Sequence, residues 1–199
     1  MHGRGSYENA RRRRAAALAG FEGDEETAGG YLSDVDPGVR ATALGALVRM
    51  GKAGSDAIAR ALADPSPTVR RRAAEHGAAL EGADYLPLLS DADTSVVEAA
   101  CFAVGEVRDV RAVSLLSNIA TEHEDALCRE SAVAALGAIG ERAGLPAILA
   151  AMADRPPVRR RAVIALAPFD GPEVEEALNK ALADRDWQVR QAAEDQLRP

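Results

Sequence analysis

Residues with catalytic potential are sparse in this sequence. The only histidines are His2, His76 and His123. Glu75 directly precedes His76 and could form an acid–base pair with it, but neighbouring residues of a helix point about 100° apart. The sequence has no Gly-x-x-x-x-Gly-Lys-Ser/Thr phosphate loop and no Gly-x-Ser-x-Gly nucleophile elbow. We therefore predict no catalytic residues, no metal site and no cofactor.

Clusters of charge around one phenylalanine suggest binding chemistry instead. Arg71-Arg72 and Arg160-Arg161 are basic, and Phe102 lies between Glu98 and Glu106 in the sequence. Arginine and aromatic side chains are typical anchors of protein interfaces. Whether these residues share a surface depends on the elements that carry them.

A recurring phrase, Val-Arg-x-x-Ala-x-x-x-Leu, predicts those elements. Its anchor positions are residues 40, 70, 97, 129, 159 and 190, which lie 27 to 32 residues apart. Valine occupies the anchor at position 97, and Gly77 replaces the leucine of the second copy. With the anchor counted as zero, apolar residues fall at −1, +3, +7 and often +10, which is one stripe of a helix. A weaker upstream copy has Arg11 as its anchor and Leu18 at +7.

A second, shorter helical pattern precedes most copies of the phrase. Residues 57–62, 113–119, 147–152 and 174–182 show it. Breakers such as Asp36-Pro37-Gly38 separate the two patterns, and their Asp side chains can accept the free N–H groups that open a helix. The predicted unit is helix, turn, helix, and one such pair cannot bury both of its faces. We therefore predict an all-α fold of about six stacked helix pairs.

The repeat resembles the HEAT-like repeat named after the phycobilisome lyases. Its length near 30 residues and the phrase Asp-Pro-x-x-x-Val-Arg-x-x-Ala-x-x-x-Leu-Gly match that repeat, and residues 128–140 match it best. The resemblance implies a right-handed α-solenoid of about six HEAT-like helix pairs. It covers residues 30–199 clearly, with residues 1–29 as a weaker N-terminal capping repeat. We therefore expect a single domain over residues 1–199.

The anchor arginines resemble ladder residues of the family, which implies a structural role. They are Arg40, Arg70, Arg129, Arg159 and Arg190. We expect them to pair with turn aspartates of the same or a neighbouring repeat, such as Asp64, Asp154 and Asp184. Because an arginine recurs at nearly every repeat, stacking suits it better than a single binding site.

In arrays of this kind the second helix of each pair usually lines the concave side. Positions +1, +2, +5, +6 and +9 are then expected to face a groove. The predicted partner-binding residues are Arg71, Arg72, Glu75, His76, Glu98, Phe102, Glu106, Glu130, Arg160 and Arg161. This groove has basic ends around an acidic middle, with Phe102 near its centre. An aromatic beside charges is an anchor for a partner helix or extended peptide, and a merely solvated face is the alternative.

The expected function is that of a protein-binding adaptor or scaffold that holds a partner segment on its concave face. The resemblance leaves a bilin lyase-type enzyme or enzyme subunit as the alternative, with groove arginines for the propionates of a tetrapyrrole. The deoxyhypusine hydroxylases also resemble this repeat, and their iron ligands are His-Glu pairs directly after the anchor. No histidine occupies those positions here, which argues against a di-iron site.

Composition bounds the partner and the compartment. The formal net charge is -7 and the pI is about 5.1, which argues against nucleic acid and favours another protein as the partner. No apolar run approaches the roughly 18 residues of a membrane span. The basic run Arg11 to Arg14 is followed too soon by acidic residues for a signal peptide, and two cysteines make no disulfide framework. We therefore expect a cytoplasmic protein.

Overall fold

The computed structural model describes residues 2–76 and 82–198, with side chains from residue 5 onward. Gly77, at which the second copy departs from the repeat, lies outside the described residues. Within these ranges the chain forms twelve α-helices and no strand. The predicted all-α class is confirmed.

The chain forms two compact units, residues 1–88 and residues 89–199. The first holds α1 (His2–Glu22), α2 (Glu25–Gly30), α3 (Pro37–Arg49), α4 (Ser55–Leu62) and α5 (Pro67–Glu75). The second holds α6 (Thr94–Glu106), α7 (Val113–Glu122), α8 (Ala126–Ile139), α9 (Leu145–Ala151), α10 (Pro156–Ala165), α11 (Pro172–Ala181) and α12 (Trp187–Leu197). Short 3₁₀ turns lie at Tyr31–Ser33, Leu86–Ser90, Val110–Ala112 and Arg142–Gly144. The organisation as a single domain stays a prediction.

Aspartates and prolines in the turns fix where the second helices of the pairs begin. These are the helices that carry the anchors: α3, α5, α6, α8, α10 and α12. Four of these helices have an aspartate N-cap whose carboxylate accepts a backbone N–H of the first turn. These N-caps are Asp36, Asp93, Asp125 and Asp186. Proline occupies the first turn of α3, α5 and α10, where its missing N–H costs nothing. The anchor follows the N-cap by four residues, as Arg40 follows Asp36, so each anchor has the same place in its helix.

Second helices pack side by side within each unit. In the first unit α3 lies between α1 and α5, and in the second unit α8 lies between α6 and α10. The predicted stripe at −1, +3 and +7 is buried in most copies. In α8, for example, it consists of Cys128, Ala132 and Leu136. Each helix pair thus covers the apolar stripe of its neighbour, and the α-solenoid class is confirmed.

Small residues let neighbouring second helices approach closely. A β-carbon added to Gly137 would lie 2.7 Å from Cα of Ala165, and one added to Gly105 would lie 3.0 Å from Cα of Ala135. A glycine at +8 therefore packs against the alanine at +6 of the next copy. Position +6 was expected to face the groove, but in these two copies its alanine, Ala135 or Ala165, is buried against the preceding second helix.

Two further expectations about the apolar stripe are wrong. Leu18 is 44% exposed, whereas Ala16 and Ala19 are buried, because the stripe of α1 lies one residue further along than its predicted register. Val107, at +10 from the third anchor, is also exposed. It follows the last residue of α6, where the chain leaves the packed helix face.

Candidate partner-binding site

Turn aspartates and anchor arginines join consecutive helix pairs. Nε and Nη2 of Arg40 donate to the two carboxylate oxygens of Asp64, at 2.9 and 2.7 Å. Nη1 of Arg40 donates to the carbonyl oxygen of Asp34, in the turn before its own helix. The Asp64 carboxylate also accepts the backbone N–H of Ser66, and its carbonyl oxygen accepts Nη1 of Arg70. One guanidinium therefore ties its own turn to the turn of the next repeat.

The same connection runs without interruption through the end of the second unit. Arg129 binds the carboxylate of Asp154 with two hydrogen bonds of 2.6 and 2.9 Å. Arg159 donates to the carbonyl oxygen of Asp154 and binds the carboxylate of Asp184 at 2.8 and 2.7 Å. Arg190 then donates to the carbonyl oxygen of Asp184. Bidentate arginine–carboxylate pairs are strong and directional, so this ladder fixes the register between repeats.

Acid should weaken the ladder. The hydrogen bond from Arg159 holds the pKa of Asp184 below its ordinary value despite partial burial. A carboxyl whose pKa is lowered by folding stabilises the fold above its unfolded pKa, near 3.9, and loses that contribution as pH falls through the folded pKa. We expect the wild type to have a larger free energy of unfolding than Asp184→Asn at pH 7. This difference should shrink below about pH 4. Urea unfolding at pH 7, 5 and 3 measures it, and a difference that is constant with pH would contradict the expectation.

An arginine of α1 extends the ladder in the first unit, and the sequence did not identify it. Nε of Arg12 donates to Oδ2 of Asp34 at 2.8 Å, and Nη2 donates to Oδ1 at 3.2 Å. Arg11, the predicted anchor of this copy, is exposed. The anchor is therefore Arg12, which agrees with the one-residue shift of the apolar stripe.

The ladder lacks both of its partners at one place in the second unit. Val97 occupies the anchor of α6 and is buried, so this helix offers no cation. In the turn before α8, His123 stands where other turns have the ladder aspartate, and its Nδ1 accepts the N–H of Asp125 at 3.0 Å. His123 thus supports the turn without needing a cationic partner. The spacing of 26 residues from Val97 to His123, close to the 25 from Arg129 to Asp154, is the sequence signal for this paired loss.

Four of the predicted groove residues line one open pocket in the second unit. Phe102 and Glu106 come from α6, Glu130 from α8 and Arg161 from α10. The pocket has a volume of about 350 Å³, near the lower end of the range of about 300–1,000 Å³ for ligand sites. The other lining residues are small: Gly105, Ser131, Ala134, Ala135 and Ala138. We call this site the Phe102 pocket.

Charge in the Phe102 pocket is unevenly balanced. Nη2 of Arg161 lies 3.4 Å from Oε1 of Glu130, which makes a weak ion pair. Glu106 is exposed and has no ion-pair partner among the described residues. Phe102 is 55% exposed although its ring is apolar. The pocket therefore combines an uncovered aromatic ring with two carboxylates and one guanidinium.

The remaining predicted residues lie elsewhere. In the first unit Glu75 forms ion pairs with Arg71 and Arg72 on the exposed side of α5. His76 follows this helix, and its Nε2 is buried without a hydrogen-bond partner among the described residues. Burial, and then the charge of Arg72, lower the pKa of His76, which keeps the imidazole neutral at pH 7.

Glu98 and Arg160 belong to the second unit, but neither lines the Phe102 pocket. Glu98 is half-buried and Arg160 is exposed. The expected groove with basic ends and an acidic middle stays a prediction.

The described residues contain no group of three or more His, Cys, Asp or Glu side chains placed to hold a metal ion. Burial raises the pKa of Cys101 to about 12 and that of Cys128 to about 11, so both thiols stay protonated. In the same part of the chain no helix has both the length and the apolar character needed to cross a bilayer.

Comparison with solved structures supports the fold. An engineered protein has a TM-score of 0.66 and 18% identity, over 87% of this chain and 95% of that chain. The YibA protein of Escherichia coli also has a TM-score of 0.66 and 18% identity, over 96% and 74% of the two chains. Human deoxyhypusine hydroxylase has a TM-score of 0.50 and 21% identity, over 94% and 77%. At these identities the likeness concerns the fold alone.

Family models identify the repeats themselves. No curated protein sequence is significantly similar to the chain. Residues 82–167 match the model for HEAT repeats, and residues 158–184 match the model for the PBS lyase HEAT-like repeat. The two matches overlap and cover most of the second unit, which holds the Phe102 pocket and part of the ladder. The chain therefore carries HEAT repeats over residues 82–184, and those at residues 158–184 are of the PBS lyase HEAT-like type.

Proposed function

We propose that this protein is a protein-binding adaptor whose Phe102 pocket holds a segment of a partner protein. The observation that carries the proposal is the exposed ring of Phe102 beside an open pocket of about 350 Å³. Covering an apolar ring gains roughly 25 cal/mol for each Å² removed from water. Aromatic residues beside pockets are therefore frequent anchors of protein interfaces.

The walls of the pocket favour a side chain that projects from a peptide. The pocket lies across α6, α8 and α10, and the residues of α8 that line it besides Glu130 are Ser131 and three alanines. Such a recess between helices accepts a side chain from a bound helix or extended segment. The HEAT-repeat fold supports this function, because stacked helix pairs create extended binding surfaces.

The chemistry of the pocket does not favour the bilin lyase alternative. A tetrapyrrole carries propionate groups, which need cationic partners. Glu106 and Glu130 outnumber Arg161 in the pocket, so the local charge would repel such a ligand. We therefore propose no lyase activity.

Photo-crosslinking at residue 102 tests the adaptor proposal. We expect a benzophenone-bearing phenylalanine at position 102, irradiated in cells of the native host, to form an adduct with a partner protein. The matched control carries the same amino acid in place of Trp187, an aromatic residue of the same unit that is 64% exposed. Mass spectrometry of the crosslinked peptides identifies the attached segment. No adduct at position 102, or the same adducts at both positions, would contradict the proposal.

A further inference from the structure

We infer that the segment held in the Phe102 pocket presents an arginine or lysine side chain next to an apolar side chain. This inference rests on the proposed function and deepens it by naming the chemistry of the partner. The reasons are the charge balance of the pocket, the position of Glu106 in its helix and the exposed ring of Phe102.

The charge balance of the pocket leaves one carboxylate without a cation. Among the described residues that line the pocket, Arg161 is the one basic residue, and it lies beside Glu130. A neutral or acidic occupant would cover Glu106 and leave its carboxylate desolvated and unpaired, which is costly. A cationic occupant replaces the lost water with an ion pair.

The position of Glu106 strengthens its attraction for a cation. Glu106 is the last residue of α6, and the C-terminal end of a helix carries partial negative charge from its aligned peptide dipoles. A carboxylate in the last turn of a helix adds to that negative potential. The negative end of α6 therefore lies at the rim of the pocket, beside the exposed aromatic ring.

Phe102 and the small residues favour a long side chain that is apolar along its stem. Phe102 can pack against the methylene groups of arginine or lysine, and the face of its ring attracts the cationic head group. Gly105, Ala134 and Ala138 leave room for that stem and for an adjacent apolar side chain. The expected partner segment thus carries a basic residue beside an apolar one, and a basic segment matches the acidic net charge of the whole chain.

Selection from a display library of random twelve-residue peptides, with the full chain as bait, tests this inference. We expect the enriched peptides to carry arginine or lysine beside an apolar residue. Their affinity for Glu106→Gln should fall about tenfold, as measured by fluorescence anisotropy. The matched control is Glu122→Gln, which changes the exposed last residue of α7 outside the pocket and should leave the affinity unchanged.

The outcomes separate this inference from the proposed function. Peptides that lose binding to Phe102→Ala but lack a cationic residue, or that bind Glu106→Gln as tightly as Glu122→Gln, would overturn the inference alone. Peptides that bind Phe102→Ala as well as the wild type, or a selection that enriches none, would overturn both. Because Phe102 and Glu106 are exposed, circular dichroism should show the same helical content in all variants.

Discussion

Replacing Arg159 by alanine should lower the free energy of unfolding by about 3 kcal/mol. The Arg159 side chain is only 7% exposed, and it makes two hydrogen bonds to the Asp184 carboxylate and one to the carbonyl oxygen of Asp154. Its loss leaves a largely buried carboxylate without its cation and separates two consecutive turns. Urea unfolding followed by circular dichroism measures the change.

The adjacent arginine provides the control for this experiment. Arg160 is exposed and forms no ion pair within the described residues, so Arg160→Ala should change stability by less than about 0.5 kcal/mol. Arg159→Lys keeps the charge but loses the planar fork, and it should fall between the two. If Arg159→Ala is as stable as Arg160→Ala, the ladder does not stabilise the second unit.

Gly137→Ala should also destabilise the protein, by about 2 kcal/mol, because it overpacks the contact between α8 and α10. Glycine to alanine within a helix normally stabilises by up to about 1 kcal/mol. At this position the new β-carbon would lie 2.7 Å from Cα and 3.0 Å from the carbonyl oxygen of Ala165. These are backbone atoms and cannot rotate away, so the two helices must separate. Thermal and urea unfolding measure the loss.

Gly45→Ala is the matched control, since Gly45 lies within α3. A β-carbon at this position would be 3.5 Å from Nε2 of His76, which is an ordinary van der Waals distance. The substitution should therefore stabilise the first unit by about 0.5–1 kcal/mol. A gain of stability in both variants would show that the close approach of α8 and α10 carries no constraint.

The helices and most of the ladder could be predicted from the sequence because they repeat. The stripe at −1, +3 and +7 has to be covered in every copy, so six imperfect copies reinforce one interpretation. The pairing of anchor arginines such as Arg40 with turn aspartates such as Asp64 was expected from the resemblance to the HEAT-like repeat, and an aspartate recurs in most turns between the two helices of a pair. Such predictions depend on local spacing, which the sequence states directly.

The exact anchor of α1 depends on three-dimensional position and could not be predicted. Arg11 and Arg12 are adjacent members of a run of four arginines, and a shift of one residue rotates the side chain by about 100°. Only the location of Asp34 relative to α1 selects Arg12. Val97 and His123 occupy the two positions of one ladder pair. Its loss becomes evident only when both positions are compared with those of the other repeats.

The part of the Phe102 pocket that comes from one helix was predictable, and the part that comes from other helices was not. Phe102 and Glu106 lie four residues apart, so their presence on one side of α6 follows from helix geometry. The approach of Glu130 and Arg161 depends on the register between stacked helices, which Gly105 and Gly137 determine by their close contacts. Sequence spacing does not report that register, and it does not report the volume that small side chains leave open.

Amide hydrogen exchange on the full chain can locate a peptide bound to the second unit. The measurement compares the free protein with the protein saturated by its tightest selected twelve-residue peptide. A peptide held in the Phe102 pocket should slow exchange in the last turns of α6 and in α8, between residues 98 and 106 and between residues 130 and 138. Slower exchange confined to α7, α9 and α11, the first helices of their pairs, would contradict binding at the Phe102 pocket.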